Sequence, residues 1–301
     1  MKEIMNCGEN LISVLMSVYK EPVDYFEKAL CSVLEQTYKN IQVVLICDDP
    51  ENEAVINYAR NKLKNDSRLE VYINEKNLGL VKSLNKALSL AKGNFIARMD
   101  ADDISEPSRL EKELQFLEEN GLDLVGCNYK LFSDNKIISL TELPENDHEI
   151  KKALRGYQCI PHPSWLAKKE VYEMLNGYRE VNCCEDYDFL IRAANLGFKF
   201  GNLHEHLLNY RFNTQSISRT NEAKQRLVAD FLRANYDKGF EIKELSDYLC
   251  SGEYEKELKS LNDWYAIKES FKSARQKRNI FGMMKYFAMY AVNKHTYSRN
   301  S

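Results

Sequence analysis

Three clusters of side chains in this 301-residue sequence have the types and spacing for chemistry. Asp100-Ala101-Asp102 sets two carboxylates at i and i+2, with Asp103 directly behind them. Leaving a buried strand, such a pair can aim at one hard cation. Mg2+ or Mn2+ favours carboxylate oxygens together with phosphate oxygens over an all-protein cage. The same residues would also serve as an acidic helix start, Asp102 or Asp103 capping a helix that includes Arg109 and Leu110. Asp48-Asp49 closes an apolar run, where a carboxylate can accept from a nucleobase N–H or a ribose hydroxyl, or cap the turn before Pro50. Glu185-Asp186-Tyr187-Asp188 crowds three acids, which raises one pKa as a general base requires. A solvated helix N-terminus would look the same. His162, His204 and His206 are possible ligands, each equally a structural histidine. GxGxxG, GxxxxGK[ST], HExxH and GxSxG are all missing, which leaves dinucleotide, P-loop, zincin and nucleophile-elbow chemistry unsupported.

These clusters need elements to hold them. Leu11–Tyr19 and Ile41–Cys47 are continuous apolar runs rich in β-branched residues, the pattern of strands buried on both faces. Between them, Phe26, Leu30, Val33 and Leu34 recur at helical spacing over Val23–Gln36. The alternation continues with a helix near Glu53–Lys64, a strand at Leu69–Ile73, a helix at Leu80–Ala91 stopped by Gly93, and a strand at Phe95–Met99. This predicts an α/β fold: an open, mainly parallel, Rossmann-like sheet with helices on both faces. Ligands bind such sheets beyond the carboxyl ends of the strands. Asp48-Asp49, Asn74–Gly79 and Asp100–Asp103 all fall there. The second half is less regular. It offers a strand at Leu124–Phe132, a short helix at Glu149–Arg155, Ile-Pro-His-Pro-Ser within Cys159–Leu166, a helix opening acidic over Cys184–Leu196, an extended Leu203–Phe212, and a helical pattern from Thr220 onward.

Taken in order, Ser17-Val18-Tyr19-Lys20, Asp48-Asp49, Asn77-Leu78-Gly79-Leu80, Arg98-Met99-Asp100-Ala101-Asp102-Asp103 and Glu185-Asp186-Tyr187 resemble the motifs of family 2 glycosyltransferases. The set is most similar to the bacterial capsule, exopolysaccharide and O-antigen members of the amylovoran-transferase type, over roughly residues 10 to 218. The resemblance implies a GT-A fold. It implies a catalytic domain over 1–218, with a nucleotide-sugar half at 10–123, an acceptor half at 124–218, and a helical C-terminal region at 219–301. It further implies an inverting transfer from a nucleotide sugar, with a UDP-sugar as the expected donor, to a hydroxyl of a glycan or lipid-linked acceptor in surface polysaccharide synthesis. Asp49 then matches the carboxylate that holds the base, Asp100 and Asp102 the Mn2+ or Mg2+ site with Asp102 the direct ligand, and Asp186 the general base. Ser17, Tyr19, Asn77, Lys82 and Arg98 fall on the donor side, and His162, Ser164 and Glu185 on the acceptor side. Tyr210-Arg211 resembles the start of a YRxHxxS motif whose loop closes over the donor diphosphate, which places Arg211 on the donor side. In that motif Asn213 stands at the His position and Ser216 is kept.

Composition narrows the alternatives. Net charge is -3, which sets aside a whole-protein nucleic-acid binder. Eight cysteines without a CxxC pair, mostly in apolar runs, fit a reducing cytoplasm rather than a disulfide or zinc scaffold. No apolar run reaches the roughly 20 residues of a membrane span, and the N-terminus has no signal-peptide pattern. A nucleotidyltransferase would show a Gly-rich basic loop after the first strand, where this chain has Ser17-Val18-Tyr19-Lys20-Glu21-Pro22. A catalytically inactive sugar-nucleotide binder is the other alternative, disfavoured by Asp100, Asp102 and Asp186 standing together. From Lys268 to Arg299 there are eight basic residues against one acid, Glu269, interleaved with Ile280, Phe281, Met283, Met284, Tyr286 and Phe287. That pattern suits a helix lying on an anionic membrane surface, and equally a packed helix with a solvated basic face.

Overall fold

The computed structural model describes residues 10–133, 136–181, 183–212, 221–276 and 289. The chain divides into two compact units, the first ending at Thr214 and the second starting at Gln215.

The first unit opens with the alternation its sequence dictates: β1 (Ile12–Val18), α1 (Val23–Leu34), β2 (Ile41–Cys47), α2 (Glu53–Leu63), β3 (Leu69–Ile73), α3 (Leu80–Leu90) and β4 (Phe95–Asp100). These four strands run parallel in the order β3-β2-β1-β4. The apolar runs of β1 and β2 are buried almost throughout, as strands covered on both faces must be. Helix α1 lays Phe26, Ala29, Leu30, Val33 and Leu34 against the sheet. Such an apolar stripe contributes about 1.5–3 kcal/mol per large side chain. Asn52 caps α2 by accepting from the Val55 amide.

The remaining strands bend the sheet toward the second half of the unit. After β5 (Ile104–Ser105) and α4 (Arg109–Glu119) come β6 (Leu124–Ser133) and β7 (Lys136–Leu140). α5 (Asp147–Leu154), a 3-10 turn at His162–Ser164, β8 (Leu166–Lys168), α6 (Lys169–Met174), α7 (Glu185–Asn195) and β9 (Phe200–Arg211) complete it. The order continues β4-β8-β6-β9-β5, with β7 paired to β6. β8 is antiparallel to both β4 and β6, whereas β9 runs parallel to β6. β5, β7 and β8 were not legible in the sequence; β7 is exposed at all five positions, so it carries no core alternation.

Gly93 has a different role from the one expected. Helix α3 ends at Leu90 without it. A Cβ on Gly93 would lie 2.3 Å from Leu11 O and 2.8 Å from Ser13 N, so glycine is required by the close approach of this turn to β1.

The second unit consists, among its described residues, of α8 (Glu222–Ala234), α9 (Ile242–Leu249) and α10 (Gly252–Gln276). Its core gathers Ala223, Leu227 and Leu261 with Tyr254, Leu258, Trp264 and Tyr265 around them. No described helix is long and apolar enough to cross a membrane. The basic tail beyond Gln276, from Lys277 to Arg299, lies outside the described residues apart from Met289. No disulfide joins the described cysteines.

Candidate active site

Parallel pairing brings the motif-bearing loops to one edge. Ser17 near the end of β1 is in register with Asp100 at the end of β4. Val18 is in register with Cys47, and Cys47 with Ile73. The residues that follow, Tyr19, Asp48-Asp49, Asn74–Gly79 and Ala101–Asp103, therefore leave the sheet side by side.

After β2 the two aspartates divide their work. Asp48 is buried and accepts from Asn74 Nδ2 at 2.7 Å, Leu78 N at 2.8 Å and Gly79 N at 2.9 Å. It builds the 74–79 loop. Asp49 is half-buried, and its Oδ1 accepts from the Glu51 amide at 3.1 Å. Asn77 is exposed and turns its Oδ1 back to the Gly79 amide at 2.8 Å. Tyr19 is exposed at the rim. Its amide donates to Glu21 Oε2 at 2.6 Å and its carbonyl accepts from Asn52 Nδ2 at 3.1 Å. Lys82 is exposed on α3, 3.4 Å from Glu180 across the gap to the second half.

Asp100, Asp102 and Asp103 each offer an oxygen, and those atoms lie within 4.8 Å of one another. Burial pushes Asp102 up to about 7, and the neighbouring charges of Asp100 and Glu21 add to it. Asp103 rises well above the carboxylate range for the same first reason. Its Oδ1 is committed to the Arg211 amide at 2.7 Å, which leaves Asp100 and Asp102 facing outward as half-buried groups. Crowded hard oxygens whose ionisation is opposed by burial and by one another fit a divalent cation, because its charge relieves that repulsion. Glu21 belongs to this field and was missed; its place two residues beyond Tyr19 was the only signal.

Two arginines sit deeper than the sequence suggested. Arg98 is 2% exposed. Its Nη1 makes ion-pair contact with Asp100 Oδ1 off the hydrogen-bond line, and its Nε has no hydrogen-bond partner. Arg211 donates from Nε to Asp102 O at 2.7 Å, with its guanidinium 3.9 Å from the Tyr25 ring centre and 4.5 Å from that of Phe132. It braces the backbone of the acidic turn. Asn213 and Ser216 lie outside the described residues.

Asp186 occupies the first turn of α7. Gln158 Nε2 donates to its Oδ2 at 3.1 Å, and the Tyr187 amide to its Oδ1 at 2.7 Å. Burial raises it to about 6, against the opposing Tyr187 hydrogen bond. Glu185 is raised to about 7 by burial and then by Asp186. The charges of Arg98 and Asp100 act on both acids, so the clusters at the end of β4 and at the start of α7 share one electrostatic space. Cys183, just before the helix, has φ of 60°, a strained left-handed residue of the kind that gathers at functional sites. Asp188 is held at 1% exposure by Arg179 Nε at 3.1 Å and Arg192 Nε at 2.8 Å, which commits it to structure.

His162 and Ser164, the residues expected on the acceptor side, are both enclosed by the fold. His162 is buried, its Nε2 2.8 Å from Tyr178 Oη and its ring 4.5 Å from that of Trp165. Burial, then Arg98, lowers its pKa well below the usual value. Ser164 is fully enclosed, donating to Pro161 O at 2.7 Å and accepting from Cys127 N at 3.3 Å. His204 and His206 pair with Glu145 and with Thr141 O, and join no metal cluster among the described residues.

Known proteins share this fold. The model of the family described as glycosyl transferase family 2 matches residues 13–175, more than half of the chain. The O-antigen biosynthesis glycosyltransferase WbnJ of Escherichia coli is 31% identical over 244 residues, covering 75% of this chain and 94% of its own. Among solved structures, S. aureus TarS 1-349 in complex with UDP-GlcNAc superposes with a TM-score of 0.63 at 15% identity, covering 96% of this chain and 92% of its own. The mannosyltransferase PcManGT from Pyrobaculum calidifontis, in complex with GDP-Man and Mn2+, gives 0.60 at 16% identity, covering 94% and 80%. A GT-A sheet with these loops in this order, matched by the family model over most of its catalytic unit, makes this chain a member of glycosyl transferase family 2 and hence a glycosyltransferase.

Proposed function

We propose that the enzyme inverts the anomeric centre of a UDP-sugar while transferring the sugar to a hydroxyl of a glycan or lipid-linked acceptor in surface polysaccharide synthesis. One observation supports this most: the Asp100/Asp102 pair at the end of β4 shares its electrostatic space with the half-buried, raised Asp186 at the start of α7. In this reading Asp49 holds the base through its carboxylate, with Ser17, Tyr19 and Asn77 around the nucleotide. Asp186 removes the acceptor proton as the acceptor oxygen bonds to C1 from the face opposite the diphosphate, and the C1–O bond breaks with its electron pair leaving on UDP. Asp102 and Asp100 would hold Mn2+ or Mg2+, which when bound neutralises charge on the departing diphosphate. Their hard oxygens favour such an ion, and PcManGT carries Mn2+ beside GDP-Man. TarS binds UDP-GlcNAc, and WbnJ is named for O-antigen biosynthesis. These support the donor and pathway class.

The test is a panel of UDP- and GDP-sugars assayed for nucleotide release to water, with and without Mn2+. We expect a UDP-sugar to be turned over only with metal; turnover unaffected by EDTA would defeat the metal assignment.

We also place the enzyme in the cytoplasm, on the inner face of the membrane, through the basic-aromatic tail. A lipid-linked acceptor would be presented there.

A further inference from the structure

Helix α3 starts in the donor loop, where Asp48 and Asn77 both accept from the Gly79 amide that opens it. Farther along, Asn85 projects sideways from the helix. Its Nδ2 donates to Tyr178 O at 2.8 Å, and its Oδ1 accepts from Tyr178 N at 2.9 Å. One side-chain amide thus acts as a neighbouring strand would, pairing both backbone groups of a turn residue. The turn is shaped around it. Asn176 and Gly177 are both left-handed, with φ of 54° and 72°. A Cβ on Gly177 would lie 2.6 Å from Asn85 Oδ1. Lys82, on the same face of α3, meets Glu180 of this turn.

The far side of the turn is bound to α7. Arg192 donates from Nη1 to Leu175 O at 2.8 Å and from Nη2 to Gly177 O at 3.0 Å, while Arg179 and Arg192 share Asp188. The Tyr178 ring packs on Phe189 with centres 5.1 Å apart. Continuous hydrogen bonding therefore joins the donor loop, α3, Asn85, the 175–180 turn and the helix whose first turn holds Asp186.

We propose that Asn85 is a positioning residue for transfer: its paired bonds to Tyr178 fix Asp186 relative to the donor loop. This rests on the reading of Asp186 as general base. Asn85 itself meets no reacting atom. Its leverage is geometric, since about 1 Å of misplacement at the chemistry can cost ~100-fold in rate.

Asn85→Leu keeps the size of the side chain and removes both bonds. It is compared with wild type, Asp186→Asn and the double variant. The readouts are kcat for hydrolysis of the UDP-sugar turned over fastest in the panel, and calorimetric affinity for UDP with Mn2+. We expect kcat to fall about tenfold or more while UDP–Mn2+ affinity stays within about twofold. In the Asp186→Asn background the added loss should vanish, as it does for residues acting through one step. A kcat near wild type, a parallel loss of UDP–Mn2+ affinity, or losses that multiply in the double variant would each overturn the proposal. Asp186→Asn alone tests the underlying reading. If it retains wild-type turnover, both ideas fall; if it is inactive while Asn85→Leu is not, only the positioning role falls. Should Asn85→Leu fail to fold, Asn85→Asp keeps the acceptor for Tyr178 N and is judged by the same split.

Discussion

Asp186 accepts a proton only when it is ionised, and burial holds it near 6 rather than in the ordinary aspartate range. At saturating metal and donor, turnover should therefore fall as pH drops through about 6, roughly tenfold per unit below that. Asp186→Asn should remove this acid limb and about two to four orders of magnitude of kcat, with UDP binding retained. A profile flat between about pH 5 and about pH 7 would move the base elsewhere. Asp188 is a poor second choice because two arginines already hold it. The same burial opposes the folded state once Asp186 ionises: a folded pKa above the unfolded one means stability is lost as pH rises. On the metal side, Asp102→Ala should abolish the Mn2+-dependent part of UDP affinity measured by calorimetry, since the diphosphate loses its counter-ion bridge. Unchanged affinity in Mn2+ would remove Asp102 from the site.

Elements act here mainly as frames for single atoms. β1 can lie in register between β2 and β4 because the turn at Gly93 packs on Leu11 and Ser13 without a side chain. Its amide donates to Ser13 Oγ at 2.8 Å. Gly93→Ala would drive a methyl to 2.3 Å from a backbone oxygen, and the expected outcome is a loss of about 1–3 kcal/mol in urea unfolding, the usual cost of overpacking. A substitution without effect would show that the turn can move away from β1. The acidic turn is framed likewise: Arg211 on β9 supports the Asp102 carbonyl while its own amide occupies Asp103, so of the three acids Asp100 and Asp102 remain half-buried.

For the molecule as a whole, the pH dependence of stability should carry the mark of a buried pair away from the site, added to that of the raised acids within it. Glu113 on α4 is fully buried, 3.8 Å from Arg109 and beside the Cys127 thiol. Burial raises it to about 8, against the pull of Arg109. The folded state therefore keeps a proton that the unfolded chain releases near the ordinary glutamate value. Its contribution is complete below that value and is lost as pH rises toward about 8, at up to about 1.4 kcal/mol per unit. Glu113→Gln mimics the protonated form and should make unfolding free energy fall less steeply over this window, the raised acids of the site supplying the remainder. An unchanged slope would assign the pH dependence to other groups. The basic tail makes a separate demand. Full-length protein should pellet with anionic vesicles, stay in solution with neutral ones, and be released as salt rises. Equal behaviour with both kinds of vesicle would remove the membrane role.

Much of the first unit's parallel half was legible because local physics writes it into the chain. Continuous apolar runs have to be buried strands, apolar residues three and four apart have to face a sheet, and parallel strands have to deliver their polar ends to one edge. Hence the alternation up to β4 and the loops at Asp48, Asn74 and Asp100 could be read in order, and with them the family. Burial of individual polar side chains could not. That Asp48 rather than Asp49 is buried, that His162 and Ser164 are enclosed, and that Arg211 braces the acidic turn all depend on partners distant in sequence. Short or exposed strands such as β5 and β7 carry no periodic signal, and β8 is only three residues long. The link through Asn85 from α3 to the turn before α7 spans 93 residues, and only the folded chain brings those two backbones together.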